Sequence, residues 1–415
     1  MTNPLLPPKK KNPQRRTKSP LLPPTMRSRA AIGLTVMAAE GRFALQQCAR
    51  CGTIQYPPRD ACCSCLSPEL SWQETDTKAT ILAESRVHVS PDPYFRERMP
   101  WRMGSVKLAA GPVAVCHLHG DVARGDTVKM ALKLDKAGQG VLIALPSKRT
   151  DLMEDDAVLR SLTSHPKHRR ILISDGRYPF TVPLVKALLK AGAVTVFVGE
   201  SEGWLRGPWK DELLQMDNVH VVPLDVTDTR SVTELAGEIG GKTDILINTA
   251  RFVRPGGVLG RDTIFARDEF EVNTLGMMRL AQAFGPGMAA RVADGTNSAT
   301  AFVNILSAYA LAADPDYGAF SASQAAARSL SQTLRAEFRA SGLRVMNVYV
   351  GPTDDEWHQP LPPPKVAGPA LARSLVSGLI EGLEDVYCGD VAKDIAERWK
   401  RDAKVLEREM TGGQS

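Results

Sequence analysis

The chain has 415 residues, of which 43% are hydrophobic and 24% charged. That is enough for two or three domains with separate cores, and it excludes a wholly disordered or fibrous class. The formal charge of +6 misdescribes the body of the molecule, because residues 1–30 hold eight cations, seven prolines and no acid.

The elements are taken in chain order. Residues 1–29 have almost nothing apolar to bury and read as a disordered basic tail, with a nucleic-acid arm as the lesser alternative. No apolar segment follows these basic residues as a secretory signal would require, and no run of about 18 apolar residues exists to span a membrane. The cytoplasm is the expected compartment. A helix is predicted near Arg29–Gly41. Five of the seven cysteines then crowd into residues 48–65, which in a cytosolic chain points to metal rather than disulfides. Cys48-x-x-Cys51 and Cys62-x-x-Cys65 form two knuckles ten residues apart. Four thiolates close a tetrahedral shell, so a structural Zn2+ is expected. Cys63 lies between the ligands as a spectator.

The runs "TILAESRVHV", "MGSVKLAA", "PVAVCHLHG" and "DTVKMALKL" are short, alternating and bounded by turn residues, which predicts a small β unit. His88, His117 and His119 fall on or near these strands. His117 and His119 share a face, and ordinary barrel packing is favoured there over a second metal. The wording "CARCGTIQYPPRDACCSCLSPELSW", with "MPWRMGSVKL" and "GDTVKM" after it, resembles the DUF35 family across residues 30–146. The resemblance implies a rubredoxin-like zinc ribbon at 30–70 and an OB-fold at 71–146. It also implies a coenzyme A thioester as ligand and a thiolase-like or aldolase-like partner. OB-folds also bind oligonucleotides, but this unit lacks the basic and aromatic interleaving that single strands need.

Residues 147–170 have mixed charge and no steady apolar period, and read as an interdomain linker with room for one helical turn. From residue 171, apolar strands ("ILIS", "VTVFVG", "VHVVPLDV", "DILINTA") alternate with helical patterns such as "VPLVKALLKAGA". This predicts a doubly wound parallel sheet over 171–400, with 401–415 as a C-terminal tail. The segment resembles a short-chain dehydrogenase/reductase. By that resemblance Asp225 and Val226 contact the adenine of NAD(P), and Asn248 and Ala250 come from the Asn-Asn-Ala-Gly turn. Asn273, Ser307, Phe320 and Gln324 fall on the catalytic tetrad.

The same resemblance exposes losses. The turn that should read Thr-Gly-x-x-x-Gly-x-Gly is Ser174-Asp175-Gly176-Arg177-Tyr178-Pro179-Phe180-Thr181, without glycine at any of the three required places. Phe320 and Gln324 replace the tyrosine and lysine whose phenol moves the proton, and Asp355 replaces the threonine that contacts the nicotinamide carboxamide. Loss of positioned acid–base catalysis costs about 10²- to 10⁴-fold in rate. Tyr309 and Tyr317 lie nearby in sequence, neither with a lysine in register. Arg177 alone does not rebuild the phosphate cradle, which speaks against NAD(P) binding.

The resulting expectation is a non-catalytic accessory subunit. It would bind acyl-CoA, dock a thiolase-like or aldolase-like enzyme acting on carbon–carbon bonds, and self-associate through its reductase-like domain. The alternatives are an NAD(P)-dependent reductase of a β-ketoacyl-CoA and an OB-fold nucleic-acid-binding protein. The proline-rich "WHQPLPPPKVAGPA" (357–370) reads equally as a docking segment or a rigid loop.

Overall fold

The structure, a computed structural model, describes residues 2–7, 20–203, 207–260, 262–294 and 298–412. A helix at Ile32–Ala39 leads into a three-stranded antiparallel sheet in the order β2-β1-β3, made of β1 (Ala44–Cys48), β2 (Ile54–Gln55) and β3 (Leu70–Glu74). Gln46 and Gln55 face each other across β1 and β2 and are both buried. The Gln55 side-chain amide donates to Gln46 Oε1 (3.0 Å), while Gln46 also binds the Arg59 carbonyl and N–H (3.0 and 2.8 Å). Buried amides need such partners, and these pin the loop that carries the second cysteine pair.

Five strands form a closed barrel: β4 (Lys78–Val87), β5 (Trp101–Leu108), β6 (Val113–Leu118), β7 (Thr127–Leu134) and β8 (Gly140–Pro146), ordered β4-β5-β6-β8-β7. Ala79 and Ile81 of β4 and Val128, Met130 and Leu132 of β7 alternate inward, as a half-buried strand requires. The sequence reading did not single out β8. It is an unbroken apolar run because both of its faces are covered. Leu142 and Ala144 enter the barrel core, whereas Ile143 and Leu145 pack outward on Leu159 and Leu162.

The second half is a seven-stranded parallel sheet ordered β11-β10-β9-β12-β13-β14-β15. Its strands are β9 (Arg170–Ile173), β10 (Thr195–Glu200), β11 (Val219–Pro223), β12 (Ile245–Asn248), β13 (Ala301–Ser307), β14 (Arg344–Val350) and β15 (Asp385–Cys388). Ile171, Ile173, Ile245 and Val303 face the helices Thr181–Lys190 and Gly368–Glu381. Leu172, Leu246 and Phe302 face the helices Thr229–Ile239, Met277–Arg291 and Gly318–Phe338. Strand order reverses between β9 and β12, and the crevice outside the carboxyl ends there is where a doubly wound sheet binds ligands.

Residues 147–170 form a packed wedge rather than a loose connection. They hold the helix Ala157–Leu162. The half-buried Arg344 donates its guanidinium to the carbonyls of Leu134, Ser161 and Leu162 (2.9, 3.1 and 2.6 Å), stitching barrel, wedge and sheet together. Lys133 on β7 reaches the Glu381 carbonyl (2.8 Å) and pairs with its carboxylate. The reading missed this seam because arginines serving backbone carbonyls leave no apolar period.

Of the expected disordered tail, residues 1 and 8–19 lie outside the described residues. Residues 2–7 run along the seam without regular structure, with the Thr2 N–H donating to Asp121 (2.6 Å) and the Leu5 N–H to Asp155 (3.1 Å). At the other end, Ala403–Gly412 is a helix rather than a bare tail, and its Leu406 is buried against Ala308, Ala392 and Ile395. No described helix is long and apolar enough to cross a membrane.

Candidate functional site

The four ribbon thiols meet as the spacing predicts. Their sulfurs all lie within 4.8 Å of one another, with Cys48 Sγ 3.6 Å from Cys65 Sγ and Cys51 Sγ 3.5 Å from Cys62 Sγ. A tetrahedral ion with Zn–S bonds of about 2.3 Å needs sulfur–sulfur edges of about 3.8 Å, so Cys48, Cys51, Cys62 and Cys65 fit zinc with little adjustment. The two knuckles share one backbone plan. The Cys48 N–H donates to Thr53 O (3.0 Å) and the Gly52 N–H to Cys48 O (2.9 Å). The Cys62 N–H donates to Ser67 O (2.8 Å) and the Leu66 N–H to Cys62 O (3.1 Å). The Thr53 hydroxyl, 3.2 Å from Cys51 Sγ, holds that thiol down at about 6, toward the thiolate a metal needs. Cys63 is exposed and stands outside the set.

The barrel histidines do not form a second metal group. His88 is exposed. His117 Nδ1 accepts from Trp101 Nε1 (3.0 Å), and burial pushes its pKa down to about 4. His119 Nε2 instead bonds the Met153 carbonyl at 2.9 Å.

At the carboxyl ends of the parallel sheet, the turn after β9 is closed on itself. The Asp175 N–H donates to Thr249 Oγ1 (2.9 Å), Gly176 to Gly199 O (2.8 Å), Arg177 to Asp175 Oδ1 (2.9 Å) and Thr181 to Tyr178 O (2.9 Å). Those are the amides that would face a pyrophosphate. Arg177 spends its guanidinium on Asp175 (3.1 Å) and Glu202 (3.4 Å). Phe180 is fully buried at the start of the following helix. Asn248 Oδ1 accepts from Ser174 Oγ at 2.9 Å. Asp225 Oδ1 accepts from the N–H and hydroxyl of Thr227 (2.8 and 2.7 Å), and Val226 is buried.

The four tetrad positions are brought to one region, each engaged structurally. Asn273, inside a π-helical turn at Glu271–Gly276, donates to Phe252 O and Ser323 Oγ (both 2.9 Å) and accepts from the Phe252 N–H (2.8 Å). Gln324 Oε1 accepts the Ser307 N–H at 2.8 Å, and Ser307 Oγ accepts from the Tyr309 N–H at 3.2 Å. Phe320 is fully buried in an aromatic cluster with Val253, Tyr309 and Tyr317. Tyr317 spends its hydroxyl on the Trp357 carbonyl (2.8 Å). Burial raises the pKa of both tyrosines, so neither phenol is poised as a base. Asp355 Oδ1 lies 2.7 Å from His358 Nδ1, and the Thr353 hydroxyl donates to the same carboxylate. Despite its burial, these contacts and Arg251 hold Asp355 down at about 2.

Sequence comparison agrees with this geometry. The family model described as short chain dehydrogenase matches residues 180–365. A crystallised short chain dehydrogenase of Burkholderia cenocepacia, solved with NADP, is 30% identical, with 58% of this chain and 97% of that one covered and a TM-score of 0.52. The chain belongs to the short-chain dehydrogenase family. Its front half matches two further models, the rubredoxin-like zinc ribbon of ChsH2 at 36–71 and the ChsH2 C-terminal OB-fold at 72–133. A short-chain dehydrogenase of Penicillium crustosum is 35% identical over 145 residues, which is 34% of this chain and 50% of that protein. An uncharacterized oxidoreductase of Staphylococcus aureus is 30% identical over 175 residues, 40% of this chain and 70% of that protein. The chain thus spans about half the length of the first curated relatives it matches.

Within the short-chain dehydrogenase domain, the sequence reading missed Arg251 and His358. Arg251 stands at the glycine place of the Asn-Asn-Ala-Gly turn, next after the Asn248 and Ala250 already singled out, so the signal was one residue away. Its guanidinium lies 5.2 Å from the Phe320 ring centre and 5.3 Å from that of Tyr178, and it bonds the Tyr178 hydroxyl. His358 is buried and sits inside the "WHQPLPPPKVAGPA" loop. A dinucleotide does not fit these residues as they stand. The amides at 175–177 and 181 are already bonded, Asp175 sets a carboxylate in the turn, and Arg251 fills the space beside Phe320.

Proposed function

We propose that this protein is an accessory subunit of acyl-CoA metabolism, in which the ribbon and barrel hold a coenzyme A thioester and the short-chain dehydrogenase domain is a non-catalytic scaffold. One observation carries the second half. The two side chains that would move and tune the proton are a fully buried phenylalanine, Phe320, and a glutamine, Gln324, committed to the Ser307 backbone. Neither can exchange a proton at neutral pH. The ChsH2-type matches support the first half. Carbon–carbon bond chemistry would then belong to a thiolase-like or aldolase-like partner, and the cytoplasm is the compartment proposed.

A second reading, an NAD(P)-dependent reductase of a β-ketoacyl-CoA, draws on the NADP held by the Burkholderia cenocepacia relative. The first reading is tested by calorimetric titration of acetyl-CoA and acetoacetyl-CoA into the full chain. Saturable binding that persists in Ser307→Ala is expected. Absence of binding to the intact protein would remove the acyl-CoA role.

A further inference from the structure

The guanidinium of Arg251 is in an unusual electrostatic position. Nη1 donates to the Tyr178 hydroxyl and, at 3.4 Å, to Thr353 Oγ1, while Nη2 reaches His358 Nε2 at 3.0 Å. Each of these acceptors is neutral. Its Nε is buried without a partner. An arginine can only donate, so His358 Nε2 must be the acceptor, and the ring proton therefore sits on Nδ1 facing Asp355. The hydrogen bonds close a ring: Arg251 to His358, His358 to Asp355, Thr353 to Asp355, and Arg251 back to Thr353. The ring ties the turn after β12 to the loop after β14. The Tyr178 phenol adds a tie to the turn after β9. Tyr317 stacks on the far side of His358, with ring centres 5.5 Å apart, and donates to Trp357 O in the same loop.

We propose that Arg251 is a built-in occupant of the cofactor crevice, filling from within the chain the space beside Phe320 and holding the 353–361 loop closed without a dinucleotide. Three points support it. The family carries a glycine here, with no side chain to enter the crevice. The guanidinium spans the same three segments, the turns after β9 and β12 and the loop after β14, that line the ligand crevice of a doubly wound sheet. The Arg251 charge is met within the ring by the Asp355 carboxylate, reached through Thr353 and His358, so the crevice supplies its own counter-charge without a ligand. The inference does not depend on what the barrel binds, so it stands or falls separately from the acyl-CoA reading.

The test uses the full chain, its Arg251→Gly variant, which restores the family's glycine, and Arg251→Met, which keeps the bulk but removes the donors. The readouts are melting temperature with and without NADPH, and tryptic cleavage at Lys365, just beyond that loop. NADPH at about 1 mM should leave the melting temperature of the intact chain unchanged, where a micromolar binder would raise it. Both variants should melt lower, and Lys365 should be cut about tenfold faster once the ring is gone. If Arg251→Gly does not fold, Arg251→Met carries the comparison. A saturable rise of melting temperature with NADPH in the intact chain would overturn the proposal. Wild-type melting and cleavage in the variants would overturn it equally.

Discussion

Single residues separate what this chain kept from what it lost. At the ribbon, Gly52 and Leu66 occupy matching places after their cysteine pairs, with φ of 72° and 59°. Only the first suits the left-handed region, which costs a residue with a β-carbon about 1–2 kcal/mol. Leu66 is also largely exposed (78%), so its side chain contributes little packing in return. Leu66→Gly is therefore expected to stabilise the zinc-loaded protein by about 1 kcal/mol, read as a higher urea midpoint, and a lower midpoint would contradict that view of the knuckle. The four zinc ligands were legible because a Cys-x-x-Cys pair dictates its own geometry. Arg251 was not, because its importance lies in which three segments converge on it, and convergence is a property of the fold.

Among the elements, legibility followed exposure to one solvent-facing side. Strands of the barrel with one face wet alternate and can be read. Strand β8 is covered on both faces by the barrel core and the Ala157–Leu162 helix, and it loses its alternation. The 147–170 wedge and the Ala403–Gly412 helix were harder still, since the first is built on arginine-to-carbonyl bonds and the second on two apolar residues, Leu406 and Met410, spaced by four. Met410 packs toward the Phe320 cluster and Leu406 into its neighbour, so this helix covers one wall of the crevice. Leu406→Ala should cost about 2–4 kcal/mol as a core truncation, with faster proteolysis of the C-terminal helix. A wild-type melting curve would show that the helix is not anchored there.

At the scale of the whole molecule, the seam between barrel and sheet makes stability sensitive to acid. His117 on barrel strand β6 and His165 in the wedge are held by burial at about 4 and about 3, below the usual 6.5 or so of an unfolded histidine. A histidine held neutral in the fold takes up its proton first in the unfolded chain, so stability is lost as pH falls from about 6.5 toward 4, by up to about 1.4 kcal/mol per unit per histidine. Asp355, held at about 2, adds its own loss only below about pH 4. The melting temperature should therefore fall steadily from pH 6.5 to 4.5, and a flat profile would contradict the buried, neutral histidines. Arg344 tests the same seam from its other side. Arg344→Ala leaves the carbonyls of Leu134, Ser161 and Leu162 without their donor and should cost about 2–3 kcal/mol, whereas an unchanged melting temperature would show that the modules do not depend on it.

All three scales bear on the proposal that the short-chain dehydrogenase domain serves as a scaffold without proton and hydride chemistry of its own. The most direct measurement is NADPH consumption by the zinc-loaded full chain with acetoacetyl-CoA as acceptor, run beside Ser307→Ala. The predicted result is no turnover above the enzyme-free rate and no difference between the two proteins. Turnover in the intact chain that disappears in Ser307→Ala would contradict the account and restore the domain as a reductase.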